Sequence, residues 1–342
     1  MSKFKKWMKA SLLISGISIL LLLIVTVNSE TIETVLKIKY EYIVLAVIMH
    51  IVAYFMWALR TKSMCQGIDY KIKFLSCVKI VTAGKFAASI TPSSIGGEPL
   101  RIELLHQNEL PIGRASAIVL GERFMDAFLI LFSAPVALYI LRDGFSDSSL
   151  DIVFIMGEFI LMSVLLIMLY GLLRPENLKR IIRFIAIKLT KLLGKKREDQ
   201  IYHVLKKIDS EFYNFHASLR MLLREGRTSL ACGMLFTVFY WLFLFSILPV
   251  ILMGLNLNPP VIITFAAQIL LLIITAVPIT PGASGVAELG ATTLFSVFVV
   301  PSLIGITVIT WRVLTYYMNL LVGGFVSIKI AKDTELINRL FG

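Results

Sequence analysis

Ile90-Thr91-Pro92-Ser93-Ser94-Ile95-Gly96-Gly97-Glu98 and Ile279-Thr280-Pro281-Gly282-Ala283-Ser284-Gly285-Val286-Ala287-Glu288 each interrupt a long apolar stretch, the first at 71–110 and the second at 260–299. Proline cannot donate a backbone hydrogen bond and pushes the residue before it out of the helical region, while glycine lets the chain turn. Each stretch is therefore expected to form a helical hairpin with an irregular tip rather than one continuous helix. Irregular backbone inside a bilayer is tolerated only where protein or a water-filled cavity satisfies its polar groups. The tips, Thr91, Pro92, Gly96 and Gly97 in one and Thr280, Pro281, Gly282 and Gly285 in the other, mark the expected cavity.

The two stretches share I-T-P-x-x-x-G in one register, since 280 − 91, 281 − 92 and 285 − 96 all give 189. Two arginines inside apolar runs keep that register, because 312 − 123 is also 189. Uninterrupted apolar runs lie at about 10–27, 41–60, 113–141, 150–173, 229–254 and 302–330. Roughly 20 apolar residues cross a hydrocarbon core, so six full spans are expected. Span, hairpin, span then occurs twice, over 41–141 and 229–330. Counting crossings between the repeats makes the second run opposite to the first. The expected fold is an all-α polytopic membrane protein, a single integral membrane domain over 1–342, with about six transmembrane helices plus two re-entrant helical hairpins in an inverted repeat. Tips entering from opposite faces can meet near the midplane, as in secondary transporters.

Composition agrees with this reading. The 342 residues are 57% hydrophobic and only 16% charged, with mean hydropathy +0.83, against about 25% charged for soluble domains; a soluble globular enzyme is excluded. The net charge of +12 needs no nucleic acid. With both termini cytoplasmic, the outer loops hold only Lys37, Lys39 and Arg142, as the positive-inside rule requires. Thr26-Val27-Asn28-Ser29-Glu30 carries no small-residue cleavage pattern, so the first run reads as an uncleaved anchor of the cell membrane. Residues 174–228 combine many cations with Leu178, Ile181, Ile182, Ile185, Leu189 and Leu192 at helical spacing. They are expected to form a basic amphipathic cytoplasmic connector lying on anionic headgroups, with lipid sensing or partner docking as the alternative. Cys65, Cys77 and Cys232 imply no disulfide framework, and the four histidines have no metal-ligand spacing. Neither metal nor cofactor is expected.

Arg123 and Arg312 each lie ten residues into a span, roughly 15 Å deep at 1.5 Å rise per residue. An uncompensated charge there costs at least about 2.5–3.5 kcal/mol. Glu98, Glu122, Asp126 and Glu288 are the candidate partners. Two readings stand side by side: a buried ion-pair network locking helices together, or guanidinium groups that, with glycine-rich backbone, receive a phosphate. In this setting the obvious phosphate is a phospholipid headgroup. Glu158 and Lys85 receive no role.

Gly97-Glu98-Pro99-Leu100-Arg101, Glu122-Arg123-Phe124-Met125-Asp126, Pro281-Gly282-Ala283-Ser284-Gly285-Val286-Ala287-Glu288 and Arg312 together resemble the flippase-like membrane region of the lysylphosphatidylglycerol synthase family. The resemblance runs from about 10 to 330. It implies membrane spans around re-entrant helices and movement of aminoacylated phosphatidylglycerol, or another anionic lipid, between leaflets. It also implies lipid-headgroup binding at Arg123, Arg312, Glu98, Arg101, Glu122, Asp126 and Glu288. One departure is Ala287, where the family often has arginine. Another is the lack of the large aminoacyl-tRNA-dependent transferase domain of full-length synthases, so catalysis of lysyl transfer by this chain alone is not expected. The leading expectation is a lipid flippase or scramblase with an anionic or aminoacylated membrane phospholipid as partner. Two alternatives remain. In one, the chain modifies a lipid headgroup, with Glu98, Glu122, Asp126 or Glu288 as acid or base. In the other, it is a subunit that binds a separate soluble transferase through 174–228.

Overall fold

The computed structural model describes residues 36–91, 96–142, 198–276, 280 and 282–333, with a few single positions before 36 and between 155 and 170. The expected spans at 10–27 and 150–173, the connector up to 197, and Glu158 lie outside the described residues. What is described is helical, without a strand.

Helix α1 (Tyr40–Gln66) is 27 residues long, about 40 Å at 1.5 Å per residue and enough for a hydrocarbon core of about 30 Å. Helix α2 (Phe74–Ile90) stops where Pro92 forces Thr91 into extended backbone, φ −102° and ψ 147°. Thr91 Oγ1 donates to the Ala87 carbonyl at 2.8 Å and accepts the Gly96 N–H at 3.0 Å, so this hydroxyl ties the two sides of the break together. Helix α3 (Gly97–Gln107) follows, and after Pro111 comes α4 (Ile112–Leu141). Helix α5 (Glu198–Arg224) covers the later part of the expected connector and packs on α4, where Glu211 accepts the Gly113 N–H at 2.7 Å.

The second set of elements opens with α6 (Arg227–Gly254). Pro259 and Pro260 precede α7 (Val261–Ala276). Helix α8 (Val286–Phe295) begins at Gly285. Helix α9 (Pro301–Arg312), with proline at its first position, runs through a π turn (Val313–Tyr317) into α10 (Met318–Asp333). Among the described residues four helical segments are long and apolar enough to cross a membrane: 40–66, 112–141, 227–254 and 301–330.

Helices α1 and α6 form the most extensive pair. Around them, α2 packs on α10 while α7 packs on α4. Ala53, Trp57, Met64, Ile118 and Trp241 join one buried apolar cluster; Leu248, Leu270, Phe295 and Val308 join another.

Candidate functional site

Glu122 and Asp126 stand one turn apart on α4 and present carboxylates to the same side. Arg60, from α1, places Nη1 2.6 Å from Asp126 Oδ1 and Nη2 3.3 Å from Glu122 Oε2. Arg101, from α3, donates to Glu122 Oε2 at 2.5 Å. Trp57 Nε1 and Thr61 Oγ1 donate to Glu122 at 2.9 and 2.7 Å, and Trp241 Nε1 donates to Asp126 at 3.0 Å. All four charged side chains are buried, with two cations opposing two anions. Burying such charges is costly, yet removing one member and stranding the rest costs about 3–5 kcal/mol. The network therefore clamps α1, α3, α4 and α6 together. Gly84 of α2 permits the close approach, since a Cβ there would collide with the Arg101 side chain.

Arg60 was not among the predicted residues. It ends the apolar run at 41–60 and so reads as an interface cation, whereas α1 continues to Gln66; the four polar residues Arg60 to Ser63, all but Lys62 buried, were the available signal.

Arg123, one position after Glu122, is rotated about 100° around the helix and leaves this network. It pairs with Glu98, at the start of α3, and lies 3.8 Å from Asp126. Its side chain is 37% exposed.

Arg312 is placed differently, with its side chain 6% exposed. Its Nε donates to Glu288 Oε1 at 2.9 Å, while Glu288 Oε2 accepts the Gly285 N–H at 2.6 Å and so caps α8. The guanidinium also lies 4.2 Å from the Tyr316 ring centroid, within cation–π range. Nη2 is buried without a hydrogen-bond partner.

The two breaks touch. The Gly282 N–H points to the Thr91 carbonyl at 3.4 Å, and Tyr316 Oη donates to the Ser89 carbonyl at 3.3 Å. Gly282 has φ +61°, and a Cβ there would strike Ser89 O and the Tyr316 ring, so both backbone and space demand glycine. Pro92 and Pro281, the remaining expected tip residues, lie outside the described residues.

Beside this contact is a cavity of about 230 Å³ bordered by α1, α2, α6 to α10 and the π turn. Its polar wall includes His50, Lys85, Gln268, Arg312 and Asn319, and among the described residues no Asp or Glu lines it. The Lys85 ammonium makes no hydrogen bond or ion pair among the described residues, although Arg123, Asp126 and Glu98 act on it electrostatically. His50 Nε2 lies 3.0 Å from Asn319 Oδ1, which also accepts from Tyr54 Oη at 2.6 Å. Asn319 Nδ2 points to the Thr315 carbonyl, which fixes the amide's orientation and makes His50 Nε2 the donor. Leu244, Leu271 and Leu272 supply apolar wall.

Of the residues singled out in the sequence, Arg312 and Gly282 line this cavity. Glu288 reaches it through Arg312. Arg123 and Glu98 pair beside it, and Arg101, Glu122 and Asp126 belong to the buried network. Thr91, Gly96 and Gly97 shape the first break; Thr280, whose Oγ1 donates to the Ser284 carbonyl at 2.7 Å, and Gly285 shape the second. Sequence reasoning gave no part to His50, Lys85, Gln268 or Asn319. Each is an isolated polar residue in an apolar helix, and only Lys85, a cation within a predicted hairpin, carried a signal. Among the described residues no group of three His, Cys, Asp or Glu side chains is placed to hold a metal ion.

The model of the lysylphosphatidylglycerol synthase transmembrane region matches residues 9–323. The chain belongs to this family. Similar proteins include a UPF0104 membrane protein of Archaeoglobus fulgidus, 30% identical over 319 residues that cover 92% of this chain and 94% of that one. A UPF0104 membrane protein of Methanocaldococcus jannaschii is 25% identical over 94% of both chains, and one of Pyrococcus horikoshii is 22% identical over 95% of this chain and 98% of the other. No solved structure matches. Membership makes this a membrane protein and agrees with the apolar helices described above.

Proposed function

We propose that this protein carries an anionic phospholipid, phosphatidylglycerol or an aminoacylated form, between leaflets of the cell membrane, with the headgroup passing through the cavity between the two breaks. The observation that carries the proposal is the cavity wall: among the described residues it holds the Lys85 ammonium, which has no ion-pair partner there, and the Arg312 guanidinium, and no carboxylate lines it. Cations on the wall of a cavity set among apolar helices attract an anion more strongly than they would in bulk water, because the surroundings screen charge less. A phosphate there would meet an ammonium and a planar guanidinium fork, both good phosphate ligands. Apolar tails would stay in the bilayer.

Two repeats of opposite orientation, 41–141 and 229–330, provide the moving parts in this reading, with 174–228 as cytoplasmic connector and both termini cytoplasmic. The reciprocal packing of α2 on α10 and α7 on α4 supports it, since a two-fold exchange of halves carries one contact into the other. Rocking of one half against the other opens the cavity alternately to each leaflet. Arg123, paired with Glu98 at the edge of the same region, draws the headgroup in by exchanging its carboxylate for phosphate.

The test uses purified protein in liposomes with phospholipid labelled on an acyl chain. Lys85→Met and Arg312→Ala proteins that remain folded are expected to lose most translocation, and Arg123→Ala part of it. Wild-type rates in all three overturn the proposal.

A further inference from the structure

Gln268, on α7, is 4% exposed and lines the cavity. Its Nε2 donates to the Phe245 carbonyl of α6 at 2.8 Å and to the Thr264 carbonyl at 3.1 Å. Carbonyls only accept, so these two bonds identify the amide nitrogen and prevent the group from flipping. Oε1 consequently points away from both carbonyls. It has no hydrogen-bond partner among the described residues, and it is absent from the polar atoms sealed away from open space. The cavity thus presents one clamped acceptor alongside two cations that can only donate.

A phosphate makes no use of that acceptor, because oxygen facing oxygen repels. A ligand that fills the cavity and displaces water without offering a donor leaves Oε1 buried and unsatisfied, which weakens its binding. A ligand with a hydroxyl or N–H beside its phosphate avoids that loss. Polar sites of this kind reject analogues lacking the matching group much more strongly than apolar pockets reject a missing methylene.

We infer that Gln268 is a specificity-determining residue: it accepts a hydrogen bond from a hydroxyl or N–H on the headgroup whose phosphate is held by Lys85 and Arg312, and selects against anionic headgroups without such a donor. This rests on the lipid-carrying reading above. Gln268 is held by backbone rather than by other side chains, so its role is separable from the charges around it.

The experiment compares phosphatidylglycerol with phosphatidylmethanol, both labelled on an acyl chain, in liposomes containing the full-length protein. The two headgroups carry the same charge and differ in their hydroxyl donors. Wild type is expected to move phosphatidylglycerol about tenfold faster, the ratio that roughly 1.4 kcal/mol gives. Gln268→Met, of similar volume, is expected to bring the ratio near one, because it removes both the bond to phosphatidylglycerol and the acceptor that phosphatidylmethanol leaves unsatisfied. Equal wild-type rates overturn the inference without any variant, and so does a ratio unchanged in Gln268→Met; in both cases lipid movement itself still supports the proposed function. If neither lipid moves, the proposed function fails. Stabilisation of wild type, but not of Gln268→Met, by free glycerol phosphate in a thermal-shift assay would then uphold the donor selectivity with a soluble ligand.

Discussion

Arg123 and Arg312 lie 189 positions apart, in the register shared by the two I-T-P stretches, and their surroundings are opposite. Arg123 is 37% exposed beside a network that is already neutral, whereas Arg312 is buried at a cavity with one carboxylate behind it. The cause is visible one helical turn away. At 122 and 126 the first half has Glu and Asp; 189 positions later the second half has Trp311 and Thr315, and both line the cavity. Where one half spends its carboxylates on closing a charge cluster, the other puts an aromatic ring and a hydroxyl and leaves space. Matched register between two stretches of sequence therefore does not fix duty.

Substitutions can break or sharpen this contrast. The largest loss of stability is expected from Glu122→Gln, which strands Arg101 in the interior and leaves Arg60 with Asp126 alone. Thermal unfolding in detergent should show about 3–5 kcal/mol of destabilisation, and a change within 1 kcal/mol would mean that the network is not a clamp. Arg312→Met comes next, because it leaves Glu288 buried beside its cap. Adding Glu288→Gln, which retains an oxygen for the Gly285 N–H, should restore much of the stability without restoring lipid movement. Gly282→Ala should cost about 1–3 kcal/mol through strain at positive φ, and an unchanged melting temperature would argue against the contact between the breaks. Arg123→Gln should cost at most about 1 kcal/mol, a cost that shrinks as salt is added, since the pair is partly exposed. Lys85→Met is expected to leave stability unchanged or slightly raised, because it removes a half-buried cation that has no ion-pair partner among the described residues. A large destabilisation there would show that Lys85 serves structure rather than a ligand.

Much of this architecture can be read from residue type alone. Pro92 and the Gly96-Gly97 pair announce the first break, Pro281 and Gly282 the second, and the helices on either side start and stop close to the expected boundaries. Pairing was legible only in part: Glu98, Asp126 and Glu288 stood out as partners for buried arginines, but the assignment of Glu122 to Arg60 and Arg101 depends on how α1 and α3 are rotated against α4. The cavity wall was not legible, because His50, Gln268 and Asn319 are single polar residues on three helices far apart in sequence. Nothing local distinguishes them from polar residues that bond within their own turn, as Thr275 does with Leu271.

The π turn at Val313–Tyr317 sits directly after Arg312 and before Asn319, so it sets the angle between two residues of the cavity wall. Wide turns of this type amount to one inserted residue in an ordinary helix. Excising a single residue between 313 and 317 would relax the helix to its usual winding and swing everything upstream by about 100° relative to α10. The guanidinium would then leave the chamber while every side chain of the wall stayed in the sequence, making phase along a helix, rather than composition, the quantity on which the site depends.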